Sequence, residues 1–166
     1  AEYRRLAVAG DPAAQASLGY MYHIGEGVEQ DPAEAVRWYR QAADQGNADA
    51  LYNLAVAYAF GEGVEQDHAE AVAWYARAAE LGHGVAQYSL GLSYSRGEGV
   101  ERDPAKAAYW YARAAAQDNV QAQLMLAGMY YSGDGVPRDP VEAARLYGLA
   151  AARGDPLGQY NLAGMY

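Results

Sequence analysis

Two kinds of apolar stripe alternate along the chain, and each has the spacing of one face of a helix. The first stripe places apolar residues at Ala14, Leu18 and Tyr22, four residues apart each time. The second begins at Ala35 and ends at Ala42, with apolar residues at i, i+3, i+4 and i+7. Both spacings predict amphipathic α-helices that bury one face.

Start and stop signals place these helices near 12–23 and 32–44. Asp11 and Asp31 are suited to cap the two helices, and each is followed by proline, which is tolerated in the first turn. Glu34 lies three residues after Asp31, a spacing that predicts a capping box. Glycines follow most of the second helices, where a left-handed residue commonly ends a helix.

The whole pattern recurs every 36 residues without insertion or deletion. A Gly-x-Gly-Val-x-x-Asp loop begins four times, at Gly25, Gly61, Gly97 and Gly133. A period of this length is typical of solenoids, in which each repeat buries its apolar face on the next. The sequence therefore predicts one all-α solenoid domain without strands. Its full repeats are 10–45, 46–81, 82–117 and 118–153, with 1–9 closing a preceding repeat and 154–166 opening a partial fifth.

A small residue follows the leucine of every first helix. These residues are Gly19, Ala55, Gly91, Ala127 and Ala163. A small side chain beside a leucine allows two helices to cross closely, because a larger one would hold the backbones apart.

Composition and charge exclude several classes of function. The net charge is −9, and 11 of the 21 acidic residues lie in the four repeated loops. No basic stripe is present, so nucleic acid is excluded as a partner. The acidic loops either favour a basic partner or serve solubility. Without cysteine the chain has neither disulfides nor thiol chemistry, and no run of 18 apolar residues predicts a membrane span.

None of the motifs that suggest enzyme chemistry is complete. The Gly-x-Gly loops lack the third glycine and the preceding strand of a nucleotide-binding loop, and their acids do not have calcium-loop spacing. Residues 91–95 approach Gly-x-Ser-x-Gly, but the last glycine is absent. His23, His68 and His83 fall at three different phases of the repeat, which argues against a shared metal site. We therefore predict no catalytic residue, cofactor or metal.

The repeated Leu-Gly/Ala-x-x-Tyr, Gly-x-Gly-Val-x-x-Asp and Trp-Tyr-x-x-Ala-Ala segments resemble the Sel-one-like repeat (SLR) family of tetratricopeptide-like solenoids. The resemblance implies a right-handed superhelix with the first helices on its concave face. It also implies a bacterial adaptor for protein assembly, in the cell envelope, in the periplasm or secreted, although residues 1–9 show no signal-peptide organisation. Some members carry a disulfide in each repeat, which this chain cannot form. The family has no common catalytic residues.

The concave face is where we predict a ligand. It comprises the positions of first helices opposite the apolar stripe, and tyrosine, asparagine and arginine there suit an extended peptide. The predicted contacts are Tyr52, Asn53, Val56, Tyr88, Ser89, Leu92, Arg96, Leu124, Met125, Tyr160 and Asn161. The alternative interpretation is that the same side chains pack on the adjacent repeat.

The leading functional hypothesis is an adaptor that holds a protein or peptide segment in this groove. A competing hypothesis is a spacer or self-assembling unit that stacks end to end through Leu157, Tyr160, Leu162 and Tyr166. A third is an accessory domain of an enzyme.

Overall fold

The computed structural model describes residues 2–165, with side chains from Tyr3 to Met165, and the regular structure in this range is entirely α-helical. The helices are α1 (Glu2–Val8), α2 (Pro12–Ile24), α3 (Pro32–Asp44), α4 (Ala48–Phe60), α5 (His68–Glu80), α6 (Gly84–Arg96), α7 (Pro104–Ala115), α8 (Val120–Ser132), α9 (Pro140–Ala152) and α10 (Pro156–Ala163). The predicted helices and their period are confirmed to within one residue in the first repeat.

The chain forms two compact units. The first ends at His83 and contains α1–α5, and the second begins at Gly84 and contains α6–α10. Within each unit, consecutive helices pack against one another as antiparallel neighbours in a helix-turn-helix array. No helix in the described range is both long and apolar enough to cross a membrane.

Aspartate side chains begin both helices of the first repeat as predicted. Asp11 accepts a hydrogen bond from the amide of Ala14 at 2.7 Å, and Asp31 accepts one from the amide of Glu34 at 3.0 Å. The predicted capping box is wrong in its second half. The Asp31 amide donates to the Tyr22 carbonyl at 2.9 Å, and the Glu34 carboxylate instead accepts from Arg37 at 3.1 Å. The glutamate has no free amide to reach, because the preceding helix end has taken it.

The loop between first and second helix is closed by one long polar side chain in every repeat. Gln30 donates to the His23 carbonyl at 2.8 Å, and Arg102 donates to the Ser95 carbonyl at 3.1 Å. Gln66 and Arg138 make the same bond in the other repeats. These bonds satisfy carbonyls at the helix end that have no intrahelical partner, which fixes the loop geometry.

The small residue after each leucine receives a tyrosine ring from the second helix. A Cβ atom added at Gly19 would lie 2.7 Å from Tyr39, and one added at Gly91 would lie 2.7 Å from Tyr111. Tyr39 is 3% exposed and Tyr111 is 1% exposed, whereas Tyr75 and Tyr147, opposite alanine, are 7% and 8% exposed. Glycine thus allows the ring to sit deepest, and burial raises the pKa of Tyr111 to about 12.

The second glycine of the loop approaches the preceding second helix closely. Gly63 has φ 72°, and an added Cβ would lie 2.2 Å from the carbonyl oxygen of Pro32. Gly135 meets Pro104 in the same way, at 2.4 Å from its carbonyl carbon. The equivalent Gly27 has φ 71° but only an ordinary contact, at 3.5 Å from Met21. The loop glycines therefore serve two purposes, a left-handed backbone everywhere and close repeat-to-repeat contact at Gly63 and Gly135.

We expect Gly91→Ala to lower the free energy of unfolding and Gly148→Ala to raise it. Alanine improves helix propensity by about 1 kcal/mol at either position. At Gly91 the overlap with Tyr111 costs about 1–3 kcal/mol, whereas nothing lies within 4 Å of a Cβ at Gly148. Equilibrium urea unfolding measures both. Equal stabilisation by the two variants would contradict the proposed tyrosine contact.

A second pair of variants tests the loop. Gly27→Ala and Gly63→Ala both place alanine in the left-handed region, at a cost of about 1–2 kcal/mol. Gly63→Ala must also displace the carbonyl of Pro32, so we expect it to cost at least about 2 kcal/mol more than Gly27→Ala. Thermal and urea unfolding compare them. Similar losses for both variants would show that close contact adds nothing to the backbone strain.

Candidate functional site

The first helices carry two different faces. One face carries the apolar stripe of Ala14 and Leu18 and is buried. The opposite face comprises positions 13, 16, 17, 20 and 24 of α2 and the equivalent positions of the later first helices, at intervals of 36 residues. We call this opposite face the first-helix face. It remains at least partly accessible because the second helix packs on the other side, as α2 packs on α3 and α4 on α5.

A groove of about 680 Å³ opens on the first-helix face of the first unit. We call it the unit 1 groove. Five of its residues belong to α2, four of them at positions of that face, and two are the α4 equivalents of such positions. The rest come from α1, from the loop after α2 and from the residue that caps α4. The lining residues are Tyr3, Ala13, Ala16, Ser17, Tyr20, Met21, Glu26, Gly27, Asn47, Asp49 and Asn53.

Small side chains form the floor of the groove and large aromatic side chains form its rim. Ala16 is 9% exposed, whereas Tyr20 is 50% and Tyr3 is 58% exposed. The Asn53 side-chain amide is half-buried and has no hydrogen-bond partner among the described residues. Its free donor and acceptor therefore face a concave surface with aromatic walls.

The charge in the groove is negative. Glu26 and Asp49 are exposed carboxylates in the lining, which contains neither lysine nor arginine. Asp49 lies 3.4 Å from Nε2 of His83. The His83 side chain is largely buried and stacks on Tyr52, with ring centroids 4.8 Å apart.

Two of the predicted contact residues of the first unit are less available than the third. Tyr52 is half-buried between His83 and Tyr75, whose ring centroid lies 5.9 Å away, and burial raises the pKa of Tyr52. Val56 is also half-buried, and only Asn53 of the three lines the groove. Tyr52 thus belongs in part to the packing between α4 and α5 of its own repeat, and of its two ring contacts only the one with His83 reaches the adjacent repeat of the alternative interpretation.

The predicted residues of the second unit differ widely in exposure. Tyr88 packs on Tyr111 at 5.8 Å, and Leu92 packs against the core cluster of that unit. Leu124 is 5% exposed and belongs to this core, so it offers almost no surface to a ligand. Ser89 is half-buried, and the remaining residues are accessible to differing degrees, namely Arg96, Met125, Tyr160 and Asn161.

A smaller cavity of about 470 Å³ contains two of these predicted residues. It is lined by Tyr131, Tyr147, Tyr160, Asn161, Ala163, Gly164 and Met165. Of the residues invoked for end-to-end stacking, Leu157 and Tyr160 are 50% and 77% exposed and Leu162 is half-buried. Tyr166 lies outside the described residues, and self-association stays a prediction.

Sequence reasoning missed most of the residues that line the unit 1 groove. Ser17 and Tyr20 occupy the same repeat positions as the predicted Asn53 and Val56. The 36-residue period is therefore the signal in the sequence that identifies them. Tyr3 and Glu26 carry no such signal, because a separate helix and a loop bring them to the groove. No group of three metal-ligating side chains comes together among residues that the structure describes.

The fold and the repeated first-helix face define an all-α helical-repeat protein. Four consecutive segments, 12–47, 48–83, 84–119 and 120–155, match the Sel1 repeat. The chain therefore belongs to the Sel1 repeat family, whose members typically act as scaffolds for protein–protein interaction.

Solved structures support the same assignment. The chain is 42% identical to c5321, described as a protective antigen present in uropathogenic Escherichia coli strains displaying an SLR fold, with a TM-score of 0.94 over 96% of this chain and 34% of c5321. It is 38% identical to a Sel1 repeat protein from Oxalobacter formigenes, with a TM-score of 0.93 over 99% of this chain and 48% of that one. The chain thus spans about a third to a half of these two proteins.

A more distant structure shares the fold alone. Helicobacter pylori cysteine rich protein B is 24% identical, with a TM-score of 0.63 over 83% of this chain and 99% of that protein. No curated protein sequence matches the chain significantly.

Mutations can distinguish whether residues of the first-helix face are free to contact a ligand or pack within the fold. We expect Tyr52→Ala and Tyr88→Ala to lower the free energy of unfolding by about 2 kcal/mol each, because both rings pack on a tyrosine of the second helix. We expect Asn53→Ala to change it by less than about 0.5 kcal/mol, since its amide has no partner among the described residues. Urea unfolding of the three variants measures this. If Asn53→Ala lowers the free energy of unfolding as much as the two tyrosine variants do, Asn53 contributes to the packing of the helices.

Proposed function

We propose that the chain is an adaptor module that binds an extended protein or peptide segment through its first-helix face, with the unit 1 groove as the principal site. The observation that carries this proposal is the groove itself, which combines aromatic walls, a floor of alanine and an unpartnered amide. Membership of the Sel1 repeat family supports a protein partner over a small molecule.

The dimensions and chemistry of the groove suit a peptide in an extended conformation. A volume of about 680 Å³ is in the range of ligand-binding clefts. An asparagine amide donates and accepts at once, so Asn53 can bond both the carbonyl and the amide of one peptide residue. Tyr20 and Tyr3 offer large contact area at low entropic cost, because each ring has only two torsions to fix.

Exposed apolar side chains extend this surface on α2 and α4. Ile24 and Phe60 are 44% and 70% exposed at equivalent positions of the two helices. Large apolar side chains exposed near a groove are typical of protein interaction sites. The accessible residues of the second unit that sequence predicted, Ser89, Arg96, Met125, Tyr160 and Asn161, belong to the same proposal.

The experiment selects peptides from a twelve-residue phage-displayed library on the purified protein and measures their affinity by fluorescence anisotropy. We expect Tyr20→Ala to weaken the selected peptides about tenfold or more, as is typical for an aromatic residue at the centre of an interface. Tyr109→Ala is the matched control, because Tyr109 is 54% exposed, close to the 50% of Tyr20, but lies on a second helix.

Circular dichroism of both variants establishes that they remain folded. A library that yields no saturable binder, or binders that tolerate Tyr20→Ala as well as Tyr109→Ala, would contradict the proposal.

A further inference from the structure

The acidic loop residues have different partners in the two units. The loop after each first helix carries an acid at the same position, which is Glu26, Glu62, Glu98 or Asp134. In the second unit both acids have arginine partners, since Arg96 lies 3.8 Å from Glu98 and Arg102 lies 2.9 Å from Asp134. In the first unit Glu62 lies 3.7 Å from His23, and Glu26 has no ion-pair partner among the described residues.

Most of the arginines of the first unit are held elsewhere. Arg37 and Arg40 of α3 bond to Glu34 and to the hydroxyl of Tyr58, and Arg77 of α5 bonds to the Ala43 carbonyl. Arg4 of α1 bonds to Tyr22 and, like Arg5, is absent from the groove lining. Among the described residues, Glu26 therefore lacks the arginine partner that the loop acids of the second unit have. Asp49 of α4 has no arginine or lysine partner there either, and its carboxylate lies 3.4 Å from Nε2 of His83.

The walls of the groove suit the stem of a basic side chain. Tyr20 is half exposed beside the half-buried Met21, and both line the groove with Glu26 and Asp49. Lysine and arginine lay their aliphatic stems along apolar surface while their charged heads stay in water. A guanidinium or ammonium group over a tyrosine ring gains a further cation–π attraction.

We propose that the unit 1 groove selects its peptide through an arginine or lysine side chain, whose cation lies between Glu26 and Asp49 and whose stem packs on Tyr20. The inference rests on the proposed function and deepens it by naming the chemistry of the partner. The peptide residue supplies the cation that Arg96 and Arg102 supply to the loops of the second unit.

The test uses the peptides selected from the phage library. We expect them to be enriched in arginine or lysine at one fixed position. Replacing that residue by citrulline, which keeps the shape of arginine but carries no charge, should weaken binding about tenfold. Raising the salt concentration from 50 to 500 mM should weaken the arginine peptide more than the citrulline peptide, because salt screens exposed charges.

The double variant Glu26→Gln with Asp49→Asn tests whether the preference for a positively charged peptide residue arises at these two carboxylates. It should weaken the arginine peptide about tenfold and leave the citrulline peptide unchanged. The control is Asp44→Asn with Glu80→Gln, which removes the same two charges from exposed residues at the ends of second helices outside the groove. We expect the control to bind the arginine peptide within about twofold of the parent protein, and melting curves confirm that both variants fold.

The outcomes separate this inference from the proposed function. Peptides that are sensitive to Tyr20→Ala but show no preference for a cation would overturn the inference and leave the proposed function standing. Equal weakening by the two double variants would overturn it as well, because only the net charge would then matter. A selection that yields no peptide contradicts both.

Discussion

The contact between a tyrosine of the second helix and the small residue of the first is the interaction on which the rest of each repeat depends. The ring occupies the space that a side chain would fill, 2.7 Å from a hypothetical Cβ at Gly19 or Gly91. A small residue opposite the ring lets two short helices bury a whole tyrosine side chain between them without holding their backbones apart. Alanine in the same position leaves the ring slightly more exposed, as at Tyr75 and Tyr147.

This contact also decides which face of the first helix remains exposed. Since the second helix covers the stripe of leucine and alanine, the opposite face of the first helix is left to solvent, and in the first unit it forms the groove around Tyr20 and Asn53. The loops add charge beside this face and are held in place by bonds such as that from Gln30 to the His23 carbonyl. A Sel1 repeat can therefore vary the residues of this exposed face while its packing stays constant.

The sequence predicted the fold more fully than the site. Helix bounds, the capping aspartates and the period follow from signals within a few residues of one another, and these were confirmed. The capping box was wrong because the amide of Asp31 bonds to Tyr22 of the preceding helix, and a local pattern contains no information on that bond. Asp118 stands where the other full repeats have a helix-ending glycine, and its φ of 64° lies in the same left-handed region. Leu124 shares a repeat position with half-buried Tyr52 and Tyr88 but lies in the core, since exposure depends on the neighbouring helices.

By itself the sequence determined that this is a Sel1-type array of paired helices with a fixed period, because helix propensity, caps and apolar spacing all act over a few residues. Only the tertiary structure decided which polar side chains meet across 30 residues. Gln45 bonds to buried Gln15 at 2.8 Å and Gln117 to buried Gln87 at 2.8 Å, whereas both positions of the second repeat hold leucine, at 51 and 81. It also decided that the loop acids of the second unit are paired with arginine, whereas Glu26 has no such pair within residues 2–165. The physical reason is that ion pairs and buried hydrogen bonds form between side chains that only packing brings together.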